Sequence, residues 1–135
     1  MSLYEGACHC GAVIARFETE TPPEAVQVRA CQCGFCRRRG AKTISDPMGR
    51  LTLDFTEDAV ERYRFASRSA DFLICKGCGD YMAAVMESVA VLNVVAADIR
   101  VFADRAPEPV TYDAETEADK RARRLARWTP LETAA

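Results

Sequence analysis

Cysteines are the residues of this sequence whose type and spacing indicate chemistry. The chain has seven of them and one histidine among its 135 residues. They form three tight clusters: Cys8 and Cys10; Cys31, Cys33 and Cys36; and Cys75 and Cys78. Their odd number, and a start at Met1–Glu5 without the pattern of a signal peptide, fit a disulfide framework poorly. Clustered reduced thiols are typical metal ligands, so we expect these cysteines to bind metal.

The first and last clusters predict one four-thiolate site. In an extended chain, residues i and i+2 lie on the same side, so Cys8 and Cys10 can present two sulfur atoms to one ion. The segment Cys75–Gly79 holds two more thiols around a turn that its glycines favour. Four cysteines form the closed, tetrahedral ligand set of structural zinc sites. We therefore predict a structural zinc ion on Cys8, Cys10, Cys75 and Cys78.

The middle cluster predicts a second and more open site. Cys31, Cys33 and Cys36 can wrap around one ion, and three protein ligands leave a fourth position for water or substrate, as in catalytic zinc sites. Two alternatives stay open. A fourth protein ligand would close the site, and the candidate is His9, which in an extended chain points away from the face that its cysteine neighbours share. Alternatively, one of the three cysteines completes the other site.

An open three-thiolate zinc site suits carbon–sulfur chemistry. Three thiolates weaken the Lewis acidity of the metal, but coordination can still deprotonate an incoming thiol. Three arginines, Arg37, Arg38 and Arg39, directly follow the cluster and could hold the carboxylates of an anionic thiol. The competing interpretation is that they are exposed side chains on a turn.

The segments that must position these clusters are mostly strand-like. Runs rich in branched and aromatic residues predict strands at 12–20, 26–30, 51–55, 60–65, 71–75 and 89–97. The last run is almost continuously apolar, so we expect it to be buried on both faces. Glu115–Trp128 predicts a C-terminal helix, because its acidic residues come first and its basic residues last, and Pro130 ends it. We interpret the arginines of this helix as a solvated face.

Composition limits the class of protein. Hydrophobic residues make up 49% and charged residues 28%, which predicts one globular domain over residues 1–135. The net charge of -2 gives no electrostatic footprint of a nucleic-acid binder. No apolar run approaches the roughly 20 residues that span a bilayer. We expect a cytoplasmic protein without a membrane or nucleic-acid partner, and the sequence does not indicate its oligomeric state.

Several segments carry these clusters together with flanking residues in a recognisable order. They are Gly6–Val13, Cys31–Ala41, Cys75–Gly79, Leu92–Val94 with Asp98, Tyr112 with Asp113, and Arg123–Pro130. Over nearly the whole chain they resemble the glutathione-dependent formaldehyde-activating enzyme family, which also includes centromere protein V. The sequence departs from the pattern at Ile74, where many members have Phe, and at Asp80, where Thr is common.

The resemblance implies a fold and a metal content. It implies a mainly β fold, a β-tent of small coiled antiparallel sheets held by zinc, to which the predicted short C-terminal helix is added. It also implies two zinc ions per chain. The structural ion would be held by Cys8, Cys10, Cys75 and Cys78, and the catalytic-type ion by Cys31, Cys33 and Cys36. This is the division of the cysteines that their spacing favours.

The resemblance also implies an activity. The family joins formaldehyde and glutathione to give S-(hydroxymethyl)glutathione, which is formally a carbon–sulfur lyase reaction run in reverse. We therefore predict a zinc-dependent carbon–sulfur lyase-type enzyme that acts on an adduct of an aldehyde and a small thiol such as glutathione. The alternative is a non-catalytic binding module in which both zinc ions are structural.

Overall fold

The computed structural model of this chain describes residues 1–66 and 68–134. Its strands are β1 (Ser2–Ala7), β2 (Ile14–Thr19), β3 (Arg29–Cys31), β4 (Thr43–Ile44), β5 (Arg50–Asp54), β6 (Val60–Tyr63), β7 (Asp71–Cys75), β8 (Tyr81–Met86), β9 (Val89–Asn93), β10 (Glu108–Val110) and β11 (Thr129–Ala134). Its α-helices are α1 (Gly34–Arg39), α2 (Arg100–Ala103) and α3 (Glu117–Arg127). Short 3-10 turns lie at Pro23–Ala25 and Glu57–Ala59. Within the described residues, no helix combines the length and the apolar character that crossing a membrane requires.

The described strands form one open, mixed sheet. Its main order is β1-β2-β5-β11-β9-β4-β3-β10, and β8, β7 and β6 extend from β9 in that sequence. The expected mainly β architecture and the short C-terminal helix are confirmed. The expectation of small antiparallel sheets is wrong, because β3 pairs with β10 and β5 with β11 in parallel. Long connections separate both pairs in the chain, and a long connection allows a strand to return in the same direction.

The strand β9 is the centre of the sheet. All of its residues are buried, which confirms the predicted burial on both faces. It ends at Asn93, earlier than the predicted 89–97. The Asn93 side chain turns the chain here: its Oδ1 accepts hydrogen bonds from the backbone N–H groups of Lys42 and Val95, and its Nδ2 donates to the carbonyl of Tyr81. These bonds also hold β8 and the segment before β4 against β9.

The C-terminal helix α3 packs against β9. It begins with a capping box, in which the Thr116 side chain accepts from the Asp119 backbone and the Asp119 side chain accepts from the Thr116 backbone. The interpretation of its arginines as a solvated face is wrong for Arg124, which is only 8% exposed. Arg124 therefore lies on the buried side of α3. Its burial is tolerated because the aliphatic part of an arginine can pack like an apolar residue.

Candidate functional site

The first cysteine group joins two distant loops. The Sγ atom of Cys10 lies 3.7 Å from that of Cys8 and 3.4 Å from that of Cys75, and all four sulfur atoms, including that of Cys78, lie within 4.8 Å of one another. This spacing allows the four thiols to hold one metal ion. Cys8 and Cys75 are buried. The group therefore lies between the end of β1 and the turn that follows β7.

Local backbone geometry brings these sulfur atoms together. Gly79 donates its N–H to the carbonyl of Cys75 at 2.8 Å and has a φ of +81°, a conformation that favours glycine. A Cβ atom on Gly77 would lie 3.1 Å from the Sγ of Cys10. Asp80 links the two loops, because its carboxylate accepts a hydrogen bond from the backbone N–H of His9 at 2.9 Å.

The second group consists of Cys31, Cys33 and Cys36, whose sulfur atoms also lie within 4.8 Å of one another. Cys31 ends β3, Cys33 is the N-cap of α1, and Cys36 is buried in the first turn of that helix. The backbone N–H of Cys36 donates to the Sγ of Cys33 at 3.4 Å. Among the described residues, His9 joins neither group of potential ligands, which does not support the alternative closed by His9. No cysteine belongs to both groups, which does not support the shared alternative.

The three thiols of this group do not ionise alike. Hydrogen bonds from the thiols of Cys31 and Cys36 lower the pKa of Cys33. The pKa of Cys36 is raised, because its thiol donates to the other two and because it is buried. These hydrogen bonds favour the thiolate form of Cys33, which is half-buried, over that of Cys36.

A cavity of about 290 Å³ lies over this second group. Its lining includes a set of aromatic side chains, Phe65, Phe72, Tyr81 and Trp128. It also includes a set of charged side chains, Arg29, Glu115, Lys120, Arg123 and Arg124. The cavity thus combines thiols, an apolar wall that excludes water and a set of cationic groups, which is the composition of a small-molecule site.

Two buried arginines of this lining have no carboxylate partner. Arg29 and Arg124 are each 8% exposed, and neither forms an ion pair within residues 1–66 and 68–134. Arg29 donates to the hydroxyl of Ser45 at 2.6 Å and Arg124 to that of Ser69 at 2.8 Å. Burial lowers the pKa of both groups. The charge of Glu115 opposes this effect at Arg124, but the two side chains form no ion pair. A buried cation without an ion-pair partner is costly, so this cavity is suited to an anionic ligand.

Three other polar side chains of the cavity lining are Glu115, Arg123 and Tyr81. Glu115 accepts a hydrogen bond from Nε of Arg123 at 2.9 Å, and the guanidinium of Arg123 lies 3.5 Å from the centre of the Tyr112 ring. Tyr81 is buried, and burial raises its pKa well above the ordinary value. Its hydroxyl therefore stays protonated and can act as a hydrogen-bond donor.

The three arginines singled out in the sequence lie elsewhere. Arg37, Arg38 and Arg39 are exposed on α1, and none of them lines the cavity over the cysteines. Arg39 covers the Phe35 ring at 3.8 Å and borders a separate cavity of about 540 Å³ beside Cys8 and His9. Their role in binding carboxylates stays a prediction.

Sequence reasoning missed the cationic groups that do line the cavity. Arg29 comes from β3, whereas Arg123 and Arg124 come from α3, far along the chain. One feature of the sequence could have found them. Tyr112, Arg123 and Arg124 are among the residues that carry the resemblance described above, and they line the same cavity as the cysteines.

Comparison with known proteins places the chain among related sequences. The model of the family described as "Glutathione-dependent formaldehyde-activating enzyme" matches residues 3–115, which include every cysteine and Arg29 but end before α3. A crystal structure of a Rhodobacter sphaeroides protein is similar at a TM-score of 0.59 and 30% sequence identity. That similarity covers 80% of this chain and 99% of the other.

Proposed function

The chain belongs to the glutathione-dependent formaldehyde-activating enzyme family, and from this premise we propose that it is a zinc-dependent carbon–sulfur lyase-type enzyme. Its substrate would be an adduct of an aldehyde and a small anionic thiol, with formaldehyde and glutathione as the reference pair. The observation that carries the proposal is one cavity lined by three thiols and by two buried arginines that form no ion pair among the described residues.

Both cysteine groups fit zinc. Zinc–sulfur bonds of about 2.3 Å in a tetrahedron place the sulfur atoms about 3.8 Å apart, close to the 3.4 and 3.7 Å that Cys10 makes with its neighbours. We propose a structural ion on Cys8, Cys10, Cys75 and Cys78 and a second ion on the three cysteines below the cavity. When bound there, zinc would supply an open coordination position that can polarise an aldehyde oxygen or favour the thiolate form of a thiol.

The residues of the cavity have distinct roles in this proposal. Arg29 and Arg124 bind the carboxylates of the thiol substrate through charge-assisted hydrogen bonds. The protonated hydroxyl of Tyr81 donates a hydrogen bond to the aldehyde oxygen, and the aromatic wall excludes water. Arg37, Arg38 and Arg39 remain proposed carboxylate ligands as well, and substitutions can compare the two sets.

The reaction needs no oxidant or reductant. The sulfur atom of the thiol bonds to the aldehyde carbon, and the electron pair of the C=O π bond moves to oxygen. That oxygen takes up one proton as the thiol gives up its own, so the product is an S-hydroxyalkyl thioether. The lyase direction is the reverse. This thiol chemistry and the seven free cysteines fit a reducing compartment, and we propose a cytoplasmic location.

Nuclear magnetic resonance tests the proposal directly. Zinc-replete protein, glutathione and ¹³C-labelled formaldehyde should show exchange into the hydroxymethyl adduct faster than the same mixture without protein. Elemental analysis should give two zinc ions per chain. The variant Cys33→Ser should return the exchange to the uncatalysed rate. If protein with both zinc ions does not accelerate exchange, the chain is a non-catalytic zinc-stabilised binding module.

A further inference from the structure

Two buried polar atoms in the cavity wall have no hydrogen-bond partner within the described residues. They are Oε1 of Glu115, an acceptor, and Nε of Arg124, a donor. Buried polar groups in native proteins are nearly always paired, so an unpaired acceptor and an unpaired donor in one cavity call for an explanation. Both side chains line the cavity over Cys31, Cys33 and Cys36.

The other atoms of these two side chains are already held. Oε2 of Glu115 accepts from Nε of Arg123 at 2.9 Å. Nη1 of Arg124 donates to Ser69 at 2.8 Å, and its guanidinium lies 4.9 Å from the centre of the Trp128 ring. These contacts hold both side chains in the cavity lining. A ligand would therefore meet the unpaired atoms close to their present positions, with only the small side-chain adjustments that are common on binding.

The chemistry of the unpaired atoms defines what would satisfy them. An anionic carboxylate is the strongest acceptor for the Nε of Arg124, and an ammonium is the strongest donor for the Oε1 of Glu115. A simple carboxylate would leave the Oε1 of Glu115 without a donor, and a simple amine would leave the Nε of Arg124 without an acceptor. A zwitterionic α-amino acid group carries both a carboxylate and an ammonium, so one ligand group supplies both partners.

We propose that Glu115 and Arg124 form a subsite for a free α-amino acid group, and that this subsite selects thiols that carry one. This inference rests on the proposed function, since it specifies the substrate of the same site. Glu115 binds the ammonium, and Arg124 binds the carboxylate. Cys31, Cys33 and Cys36 line the same cavity, and the sulfur atom of the ligand would be placed near them.

Thioethers test the subsite without any reaction at sulfur. The probes are S-methylcysteine, which has both charges; N-acetyl-S-methylcysteine, which lacks the ammonium; and S-methylcysteamine, which lacks the carboxylate. Calorimetric titration of zinc-replete protein should give the tightest binding for S-methylcysteine. Each of the other two should bind about tenfold more weakly or worse, as expected for the loss of one charge-assisted hydrogen bond.

Variants assign each charge to its residue. Glu115→Gln has nearly the same shape and should abolish the preference for the free ammonium while it keeps the preference for the carboxylate. Arg124→Lys retains the charge but removes Nε, and should weaken the binding of S-methylcysteine about tenfold. The matched control is Glu117→Gln, which changes an exposed carboxylate two residues further along the chain, at the start of α3, and should leave all three affinities unchanged.

The outcomes separate this subsite from the proposed function. If all three probes bind equally, or if Glu115→Gln leaves the preference for the ammonium intact, the subsite is wrong and the unpaired atoms hold only a water molecule. Acceleration of formaldehyde exchange with glutathione would still support the proposed function in that case. Selective binding of S-methylcysteine without any accelerated exchange would support the subsite and contradict the catalytic proposal.

Discussion

The Sγ atoms of Cys10 and Cys75 lie 3.4 Å apart, although 65 residues separate the two cysteines in the chain. Cys10 follows β1, and Cys75 ends β7. In the order of the sheet these strands are far apart, since β1 forms one edge and β7 belongs to the extension from β9. The cysteine group therefore closes a contact between parts of the sheet that strand pairing does not join.

Removal of a ligand from this group should unfold the protein. Binding of a structural zinc ion contributes on the order of 10 kcal/mol in small zinc modules, which is comparable to the stability of a whole domain. Cys75→Ala and Cys10→Ala should therefore give insoluble protein or protein without a cooperative thermal transition. Circular dichroism during heating measures this. A Cys10→Ala protein with two zinc ions and the melting temperature of the wild type would contradict the structural role.

The second group should be dispensable for folding. Cys33 is the N-cap of α1 and accepts a hydrogen bond from the N–H of Cys36. Serine is a favoured N-cap residue, so Cys33→Ser preserves the cap while it removes a thiolate ligand. We expect the loss of about one zinc ion per chain with a cooperative unfolding transition retained, as elemental analysis and thermal denaturation would show. Unfolding as complete as that of Cys75→Ala would instead make this group structural.

Gly77 tests how tightly the first group is packed. A Cβ atom at this position would lie 3.1 Å from the Sγ of Cys10, so Gly77→Ala must displace a zinc ligand. We expect lower zinc affinity in competition with a chelator and a loss of stability of about 1–3 kcal/mol, as for other overpacked sites. Gly34→Ala is the matched control, since a Cβ there meets nothing within 4 Å. Equal chelator resistance in both variants would disprove the packing argument.

An ion cluster on β6 and β7 predicts a pH dependence of stability. Burial opposes ionisation of Asp71, but hydrogen bonds from Arg64 and Arg62 outweigh it and lower the pKa of this carboxyl. An unfolded aspartate has a pKa of about 3.9. The stabilisation is therefore present above about pH 4 and is lost as the pH falls through the lower folded pKa.

The difference in free energy of unfolding between wild type and Asp71→Asn measures this contribution. We expect at most about 1 kcal/mol at pH 7, because Arg62 and Arg64 are partly exposed. The difference should shrink towards zero as the pH falls through the lowered pKa of folded Asp71. Glu61→Gln, at an exposed neighbouring position on β6, should show almost no difference at any pH. A difference for Asp71→Asn that grows on acidification would have the wrong sign.

The sequence predicted the elements whose patterns are local. β7 was predicted with the observed bounds, Asp71–Cys75, and α3 begins two residues inside the predicted helix. β8 was missed, because Tyr81–Met86 is rich in alanine and methionine, which have little intrinsic preference for strands. Its pairing between β7 and β9 imposes the extended conformation. The two parallel pairings were missed too, since they join segments that nothing local relates.

For the candidate site, too, the sequence predicted the residues that form local patterns and missed those that do not. The cysteines that the structure brings together are the groups expected from their spacing, because each cluster is a short local motif and the two pairs together complete a set of four thiols. The cationic wall could not be derived from spacing. Arg124 looked like part of an exposed helix face, and only the packing of α3 on β9 shows that it is buried. A basic run such as Arg37–Arg39 is conspicuous in the sequence, whereas single buried arginines are not.

Arg29 and Arg38 provide a comparison between the buried and the exposed arginines. Arg29 is buried in the cavity wall without a carboxylate partner, and Arg38 is exposed on α1. Arg29→Met removes a costly buried charge and keeps an aliphatic side chain, so the free protein should lose no more than about 1 kcal/mol of stability.

Binding of glutathione, in contrast to stability, should depend strongly on Arg29. Arg29→Met removes a desolvated charge-assisted hydrogen bond, so calorimetry should show affinity for glutathione weakened by about tenfold or more. Affinity for mercaptoethanol, which has no carboxylate, should stay unchanged. Arg38→Met should leave both affinities within about twofold, since exposed ion pairs contribute little. The opposite result would be weaker binding of glutathione in Arg38→Met and unchanged binding in Arg29→Met. In that case the carboxylates bind at α1, as the sequence alone suggested, and the buried arginines have a role in the fold rather than in binding.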